Sequence, residues 1–152
     1  NDLAEIKEEL TNSGYIRRRY TKKKVKINNK PLHYISSDGF HIYVGKNNLQ
    51  NDQLTFHFAV GNDWWFHAKQ APGSHVIVRT NGAELPDTTF EEAARLAAYY
   101  SSMRGSDKVE IDYVEKKQVK KPGGGKPGFV VYYTNYSMVI DSNISQIRLC
   151  AD

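Results

Sequence analysis

The sequence has little cysteine and no long apolar run, and both shortages narrow the range of possible functions. Cys150 is the single cysteine, so the chain can form neither an internal disulfide nor a zinc site built on cysteine pairs. No apolar run approaches the ~18 residues of a membrane-spanning helix, and the first residues carry no signal-peptide pattern. These absences predict a cytoplasmic protein without a membrane span. Because the chain opens at Asn1 rather than at a methionine, we expect a piece of a longer polypeptide.

Length and composition indicate one globular domain after a short helical lead-in. With 152 residues, of which 39% are hydrophobic and 12% aromatic, the chain is long enough to bury a single core. Leu3, Ile6 and Leu10 recur at helical spacing among acidic residues. Residues 1–13 are therefore predicted to end a coiled coil, with a surface helix of the domain as the alternative. Residues 14–152 then form the domain itself.

A basic run follows this acidic helix. Residues 17–26 contain seven basic side chains and no acidic one, although the net charge of the whole chain is only +4. Such a run is often no more than a solvated segment, but its position after an acidic helix polarises the chain and favours a polyanionic partner. The side chains of this run that we predict to contact phosphates are Arg17, Arg18, Arg19, Lys22, Lys23 and Lys24.

Hydrophobic patterning predicts an α+β fold. Alternating apolar residues predict strands over 40–44, 64–69, 75–79, 109–113, 129–134 and 137–141. Residues 46–59 are predicted to form a short helix capped by Asn47 or Asn48. Thr88 with Glu91 predicts a capping box for a helix over 88–104 that ends at Gly105. We therefore expect a single α+β domain with a mixed, largely antiparallel sheet and helices packed on it.

The stretch "DWWFHAKQAPGSH" (63–75) concentrates aromatic and basic side chains on a predicted hairpin. Strand alternation directs Trp64 into the core and Trp65 to the other face, which should be at least partly accessible. A register that pairs Lys69 with His75 would place five polar or aromatic residues together on that second face, here called the hairpin outer face. They are Trp65, His67, Lys69, His75 and Arg79. Rings for bases and cations for phosphates are what RNA recognition uses; the alternative is that another helix covers this face, with the helix over 88–104 or the N-terminal segment lying over Trp65.

Two further polar stretches are candidates for phosphate contacts. In "GKNNLQND" (45–52), Lys46, Asn47 and Asn48 could form an anion site at a helix start, or could only cap and turn. Gln50, Asn51 and Asp52 could contact base edges, or could brace neighbouring loops. The stretch "KKPGGGKPG" (120–128) is not a nucleotide-binding P-loop, because proline follows Lys126 where serine or threonine is required. We interpret it as a mobile basic loop whose predicted phosphate contacts are Lys116, Lys117, Lys120, Lys121 and Lys126.

The evidence for catalysis is thin. His67 and His75 lack the spacing of a helical metal-binding pair, and Ser74 beside His75 is not a nucleophile arrangement because strand neighbours point to opposite faces. Asp52, Asp63 and the histidines could in principle hold magnesium for a nuclease, but no spacing argues for it. We therefore expect no enzyme activity, no metal and no cofactor.

Two long stretches carry a family resemblance. "DGFHIYVGKNNLQND" (38–52) and "DWWFHAKQAPGSHVIV" (63–78) are similar to the motifs of the NFACT-R domain, and the alanine-rich helix and the basic loop also fit that family. The resemblance implies an RNA-binding module that follows an N-terminal NFACT domain and a coiled coil. The matching motif positions are Asn47, Asn48, Asn51, Asp52, Asp63, Trp65, His67, Lys69, Pro72, Gly73, Ser74 and His75.

The same resemblance implies partners. Family members bind the large ribosomal subunit and a tRNA after a stalled ribosome has split, and bacterial members recruit alanyl-tRNA to add an alanine tail to the nascent chain. The residues critical for elongation lie in the N-terminal NFACT domain, so no catalytic role is carried over to this chain. We predict an RNA-binding module of a ribosome quality-control factor. The alternatives are a surface adhesin for fibronectin or fibrinogen, as some relatives were labelled, and a metal-dependent nuclease.

Overall fold

The computed structural model describes residues 30–151. The predicted coiled-coil end at residues 1–13 lies outside the described residues. So does the basic run, with Arg17, Arg18, Arg19, Lys22, Lys23 and Lys24.

Seven strands and two α-helices make up the described part of the chain. The strands are β1 (Leu32–Ile35), β2 (His41–Val44), β3 (Trp64–Ala68), β4 (Val76–Val78), β5 (Val109–Glu115), β6 (Tyr136–Ile140) and β7 (Arg148–Leu149), and the helices are α1 (Asn48–Gln53) and α2 (Asp87–Tyr99). A π-helical turn, Leu54–Phe58, continues α1, and a 3₁₀ turn, Lys116–Gln118, follows β5. The strands form one sheet in the order β6-β5-β3-β4-β2-β1-β7. Every pairing in it is antiparallel, which confirms the α+β class with a sheet more uniform than the mixed one predicted.

Helix α2 packs on one face of the sheet through its alanines. Ala93, Ala94 and Ala97 are fully buried in the core that also contains Phe66 and Ile111. Small side chains let the helix axis approach the sheet closely, so the large residues of the strands fill the space between them. The predicted docking of the alanine stripe is confirmed.

The predicted start of α2 is correct to within one residue, but its predicted cap and its predicted end were wrong. The helix begins after Pro86, no side chain caps its first turn, and the capping box of Thr88 and Glu91 does not form. At the other end the helix stops at Tyr99, well before Gly105. After Tyr99 the chain leaves the helical path, because Ser74 N donates to Tyr100 O at 2.9 Å and Ser102 N donates to Pro72 O at 2.9 Å. Hydrogen bonds to the turn between β3 and β4 thus replace the last turn of the predicted helix.

The strand predictions succeeded for β2, β3, β4, β5 and β6 and failed elsewhere. The stretch 129–134 is not a strand, because only Val131 forms an isolated bridge, to Lys120. β1 and the two-residue β7 were not predicted, since both are short and carry little alternation. No helix in the described range is long and apolar enough to cross a membrane.

The other face of the sheet is also covered. Trp65, Ile77 and Val114 form a second buried cluster with Leu54 of the π-helical turn. Val119 belongs to the same cluster, and partly buried residues of the segment 130–132 pack against it. The loop that follows β5 therefore covers the centre of this face, and we call residues 119–132 the lid.

Candidate nucleic-acid interface

The hairpin outer face is part of this second core and not an open surface. Trp65 is 0% exposed, so the prediction that it is accessible was wrong, and Trp64 is the more exposed of the two tryptophans. The predicted faces were correct, but the register was two residues off. Trp65 pairs with Ile77 and Phe66 with Val76, which brings His67 rather than Lys69 opposite His75. This face is covered, as the alternative interpretation predicted, but by the π-helical turn and the loop that follows β5 rather than by α2.

The two cations of this face are held by buried carboxylates. Lys69 Nζ lies 2.9 Å from Asp112 Oδ1, and Arg79 Nε lies 3.0 Å from Asp63 Oδ2. Arg79 also donates to Phe58 O at 2.8 Å and stacks over the Phe58 ring at 4.1 Å. Both cations therefore neutralise internal charge, which leaves them poorly placed to hold a phosphate.

Asp112 holds the lid in place by a hydrogen bond to Tyr132. Its carboxylate accepts hydrogen bonds from Tyr132 Oη at 2.7 Å and from Ser137 Oγ at 2.8 Å, in addition to the ion pair with Lys69. Burial alone would raise the pKa of Asp112, but these three donors outweigh burial and lower the pKa. The charged form is thus stabilised inside the protein, and it fixes the segment around Tyr132 over Trp65.

The two histidines of the hairpin outer face are uncharged at neutral pH. Burial lowers the pKa of His67, and burial together with the neighbouring His67 lowers the pKa of His75 to about 3. His75 Nδ1 lies 2.8 Å from Thr55 Oγ1, and the ring of His75 meets that of Trp65 edge-on at 5.3 Å. These rings are packing and hydrogen-bonding groups of the core rather than cationic contacts.

The two sequence motifs meet in a hydrogen-bond network at the end of β2. Gly45 N donates to His75 O at 3.1 Å, and Ser74 Oγ donates to Gly45 O at 2.5 Å. Asn51 Oδ1 accepts from His75 N at 3.0 Å, and a Cβ at Gly45 would lie 2.0 Å from that same oxygen. Glycine at 45 is required by this close approach. Asn51, predicted as a possible base contact, is buried and braces the loop instead.

An exposed cavity of about 450 Å³ opens next to this network. Three segments line it: the start of α1, the turn between β3 and β4, and the residues that follow α2. We call it the polar groove, and its lining residues are Lys46, Asn47, Asn48, Asn51, Pro72, Gly73, Ser74, Tyr99, Tyr100, Ser101, Ser102 and Arg104. The hydrogen bonds that end α2 early are the ones that create this groove, because they hold the segment 100–104 against the turn at 72–74.

Lys46 and Arg104 give the polar groove its positive charge. Both are exposed, and neither forms an ion pair with a carboxylate within residues 30–151. The Arg104 guanidinium stacks on the Tyr99 ring at 3.7 Å and hydrogen-bonds the Tyr99 hydroxyl. A stacked guanidinium keeps its orientation while part of its donor edge faces solvent, which is the geometry that suits a phosphate or a base.

The asparagines at the start of α1 divide between two roles. Asn47 is the N-cap, as predicted, because its Oδ1 accepts from Gln50 N at 2.9 Å. Lys46 N donates to Gln50 Oε1 at 2.9 Å, so this backbone amide is engaged within the protein. The side chains of Lys46 and Asn48 are exposed beside these bonds and can reach a ligand.

The basic loop docks beside the polar groove. Asp52 accepts from Gly128 N at 3.1 Å and forms an ion pair with Lys121, and these contacts lower the pKa of Asp52 against the opposing effect of burial. Gly128, with φ +84°, lies so close to Asn48 that a Cβ would approach it to 3.2 Å. This contact brings the end of the basic loop against Asn48, a residue that lines the groove. Lys117, Lys120 and Lys126 are exposed, whereas Lys121 is tied to Asp52.

Comparison with known proteins identifies the family to which this domain belongs. The family model described as "NFACT protein RNA binding domain" matches residues 30–133, more than half of the chain. The chain belongs to the NFACT RNA-binding domain family. The chain is 48% identical over 132 residues to the "Rqc2 homolog RqcH" of Streptococcus suis, and 44% identical over 142 residues to that of Bacillus subtilis. These matches cover 86% and 91% of the chain, but only 24% and 25% of the relatives, so it spans about a quarter of their length.

A solved structure shows the same NFACT RNA-binding fold. The C-terminal part of the fibronectin/fibrinogen-binding protein from Streptococcus suis superposes with a TM-score of 0.75 at 44% identity. The match covers 89% of this chain and 54% of that one. The family resemblance of the two motif stretches is therefore confirmed.

Within this NFACT RNA-binding domain, the predicted site residues of the described range fall into two sets. Exposed around the polar groove or on the basic loop are Lys46, Asn47, Asn48, Lys120 and Lys126. Engaged by other groups of the domain are Asn51, Trp65, His67, Lys69, His75, Arg79 and, at the surface, Lys121. Tyr99 and Arg104 were missed, because the segment was assigned to a helix. The loss of the alanine pattern in "YYSSMRGS" (99–106) was the available signal.

No group of three acidic, histidine or cysteine side chains in the described range is placed to hold a metal ion. Asp52 and Asp63, the carboxylates considered for a magnesium nuclease, are instead engaged by Lys121 and Arg79. The described part of the chain thus offers no support for the nuclease alternative.

Proposed function

We propose that this domain binds RNA through the polar groove and the adjoining basic loop. The observation that carries the proposal is the pair Lys46 and Arg104, two exposed cations that line one groove and form no ion pair with a carboxylate among residues 30–151. Lys120 and Lys126 extend the positive charge along the docked loop. This arrangement is supported by the family's description as an RNA-binding domain.

The composition of the groove favours RNA that is not fully paired. Lys46 and Arg104 suit phosphates, and the Tyr99–Arg104 stack offers a planar surface for an unstacked base. The amide of Asn48 and the hydroxyl of Ser102 are exposed at the rim and can meet base edges or a 2′-hydroxyl. A loop or a single-stranded end presents these groups together, whereas a regular duplex hides its base edges.

Within the whole protein, we infer that this RNA lies on the large ribosomal subunit or on a tRNA. The support is the similarity to proteins named "Rqc2 homolog RqcH", together with the family's description as an RNA-binding domain. We propose alanyl-tRNA as the tRNA, a cytoplasmic location, and a binding rather than a catalytic role for this domain. The remainder of the polypeptide is the other expected partner.

Titration of the 152-residue chain with labelled tRNA and with ribosomal RNA fragments over a range of salt concentrations tests this function. Removing two phosphate contacts in Lys46→Ala/Arg104→Ala should weaken binding and reduce the slope of log K against log salt by about 1.4 for single-stranded contacts. The matched control is Lys108→Ala/Arg148→Ala, which removes the same charge from exposed positions outside the groove. Equal losses in both variants would contradict a localised site.

The adhesin alternative has one observation in its favour. The structurally similar Streptococcus suis chain carries the name fibronectin/fibrinogen-binding protein. Binding of immobilised fibronectin and fibrinogen by the chain, measured beside RNA binding, separates the two functions. Fractionation of the full-length protein decides which one operates: co-sedimentation with large subunits supports RNA binding, and display at the surface without it supports adhesion.

A further inference from the structure

The two edges of the sheet differ in how they are protected. β7, at one edge, has two residues and includes Arg148, which is how sheet edges commonly avoid pairing with other chains. β6, at the other edge, has five residues, Tyr136–Ile140, without a charge or a proline. No described segment pairs with its outer side. β6 is therefore an open template for another strand.

A groove rich in aromatic rings runs between β6 and α2. It encloses about 450 Å³. Trp64 meets Phe90 edge-on at 4.9 Å, and Tyr113 lies 5.6 Å from Tyr136 and 5.9 Å from Trp64, measured between ring centroids. Tyr136 is 60% exposed, so the ring cluster is open to solvent on the side of the free edge. Such a surface suits apolar stems and cationic groups, which ring faces attract.

Carboxylates surround these rings. Asp87 and Glu91 line the groove, and an adjoining cavity that shares Trp64 and Asp87 adds Glu84 and Glu115. No lysine or arginine among residues 30–151 lines either cavity.

Nearby cations compensate these charges only in part. Glu91 approaches Arg95 to 4.0 Å and Glu115 approaches Lys117 to 3.4 Å, while Glu84 and Asp87 form no ion pair within the described range. This side of the domain repels RNA and attracts cations.

We propose that β6 and this acidic aromatic groove bind an extended basic segment of a protein partner. The segment would add to β6 as an eighth strand of the sheet and satisfy the open backbone groups. Because side chains alternate along a strand, every second residue would face α2. Lysine or arginine at those positions would pair with Asp87 and Glu91, and their stems would cover Tyr136.

A second copy of this chain fits the edge less well. Pairing of two β6 strands would bring two acidic rims together, and like charges facing each other destabilise an interface. A basic segment instead neutralises the rim, so charge complementarity favours a different protein over self-association. This inference does not depend on the proposed RNA site, which lies on other elements.

The test uses a short synthetic peptide that alternates arginine or lysine with valine, titrated into the 152-residue chain by fluorescence anisotropy and by NMR. One control peptide carries glutamate in place of each basic residue. A second keeps the basic sequence but is N-methylated at alternate backbone amides, which blocks strand pairing. We expect the basic peptide to bind, with shifts over 136–140 and 87–91. We expect both controls to bind at least about tenfold more weakly.

A matched pair of variants tests the carboxylates. Asp87→Asn/Glu91→Gln should weaken binding of the basic peptide by about fivefold, since each exposed ion pair contributes only a modest binding free energy. Asp107→Asn/Glu110→Gln makes the same charge change at exposed positions outside the groove and should leave affinity within about twofold. RNA affinity of both variants, measured on the same samples, should stay unchanged, so failure here leaves the RNA proposal standing.

Three results would overturn the proposal. The first is equal affinity for the basic and acidic peptides, and the second is binding that survives N-methylation. The third is concentration-dependent self-association through β6, observed by sedimentation and blocked by Val139→Lys, which would assign the edge to a second copy. Thermal melts of each variant, followed by circular dichroism, confirm that lost binding reflects the surface and not unfolding.

Discussion

Replacing Trp65 should unfold the domain rather than merely remove a contact with RNA. Trp65 is fully buried against Leu54, Ile77 and Val114, and the lid closes over it. Truncation of a buried tryptophan to alanine costs about 3–5 kcal/mol, because both the burial and the packing around the cavity are lost. That is a large share of the ~5–15 kcal/mol that stabilises a typical domain. We expect Trp65→Ala to be the most damaging of the tryptophan substitutions.

The partly exposed Trp64 provides the matched comparison. Its ring contacts Phe90 and Tyr113 but borders an open cavity, so a truncated site can be filled by water. Trp64→Ala should cost about 1–3 kcal/mol less than Trp65→Ala. Denaturant unfolding followed by circular dichroism measures both values. If Trp65→Ala cost less than Trp64→Ala, the assignment of Trp65 to the core would be refuted.

The indole nitrogen of Trp65 allows a finer measurement. Nε1 is buried without a hydrogen-bond partner among the described residues, and such a group costs roughly 1–3 kcal/mol. Trp65→Leu and Trp65→Ala both remove this penalty, but leucine leaves the smaller cavity, so Trp65→Leu should be milder than Trp65→Ala. It also leaves no ring on which a base could stack, a contact worth about 1–3 kcal/mol. RNA affinity of folded Trp65→Leu should equal that of the unaltered chain, and a loss of that size would show that the hairpin outer face opens to RNA.

The remaining predictions concern pH, a glycine and the basic loop. Burial and the neighbouring imidazole lower the pKa of His75 to about 3 from an ordinary value of 6.5, so the unfolded chain takes up a proton that the folded one does not. Stability should be full above about pH 6.5 and fall towards pH 3 by up to ~1.4 kcal/mol per unit, and His75→Gln should flatten that profile in urea melts. Gly45→Ala should cost roughly 1–3 kcal/mol of unfolding free energy by displacing Asn51, and an unchanged melt would contradict the close approach. Lys120→Ala/Lys126→Ala should reduce the salt slope of RNA binding by about 1.4 without altering the melting temperature, and an unaltered slope would remove the loop from the interface.

The centre of the sheet was predictable from sequence because its signals are local. Alternation in 40–44 and 109–113 reports a strand with one face on the core, and the alanines of 88–98 report a helix that packs closely. Those patterns depend only on which residues are apolar and at what spacing. Strand identity, the fold class and the docking of α2 all followed from them.

The fate of the hairpin outer face was not predictable from its own residues. Alternation assigns Trp65 and Lys69 to one face, but it carries no information about what lies on top of that face. The covering comes from the segment 130–132, far away in sequence, and from the ion pair of Lys69 with Asp112. The sequence does not distinguish a lysine or arginine that neutralises a buried carboxylate from one that is free to bind a phosphate.

The polar groove was predicted only in part for a related reason. Lys46 and the cap at Asn47 followed from local chemistry, since a lysine and asparagines at the start of a helix have few other roles. Arg104 reaches the same groove only because hydrogen bonds to Pro72 and Ser74 stop α2 early. Helix propensity does not register such tertiary pairing, and so the contribution of Arg104 to the groove was not predicted.

The most direct test of the RNA-binding site is an NMR titration of the 152-residue chain with a short single-stranded RNA. The account predicts that the largest shift changes fall on residues 46–48, 72–74, 99–104 and 120–128. It also predicts that changes are small over β6 and the start of α2, where the carboxylates lie. Shifts concentrated on β6, or spread without a maximum at the polar groove, would contradict it.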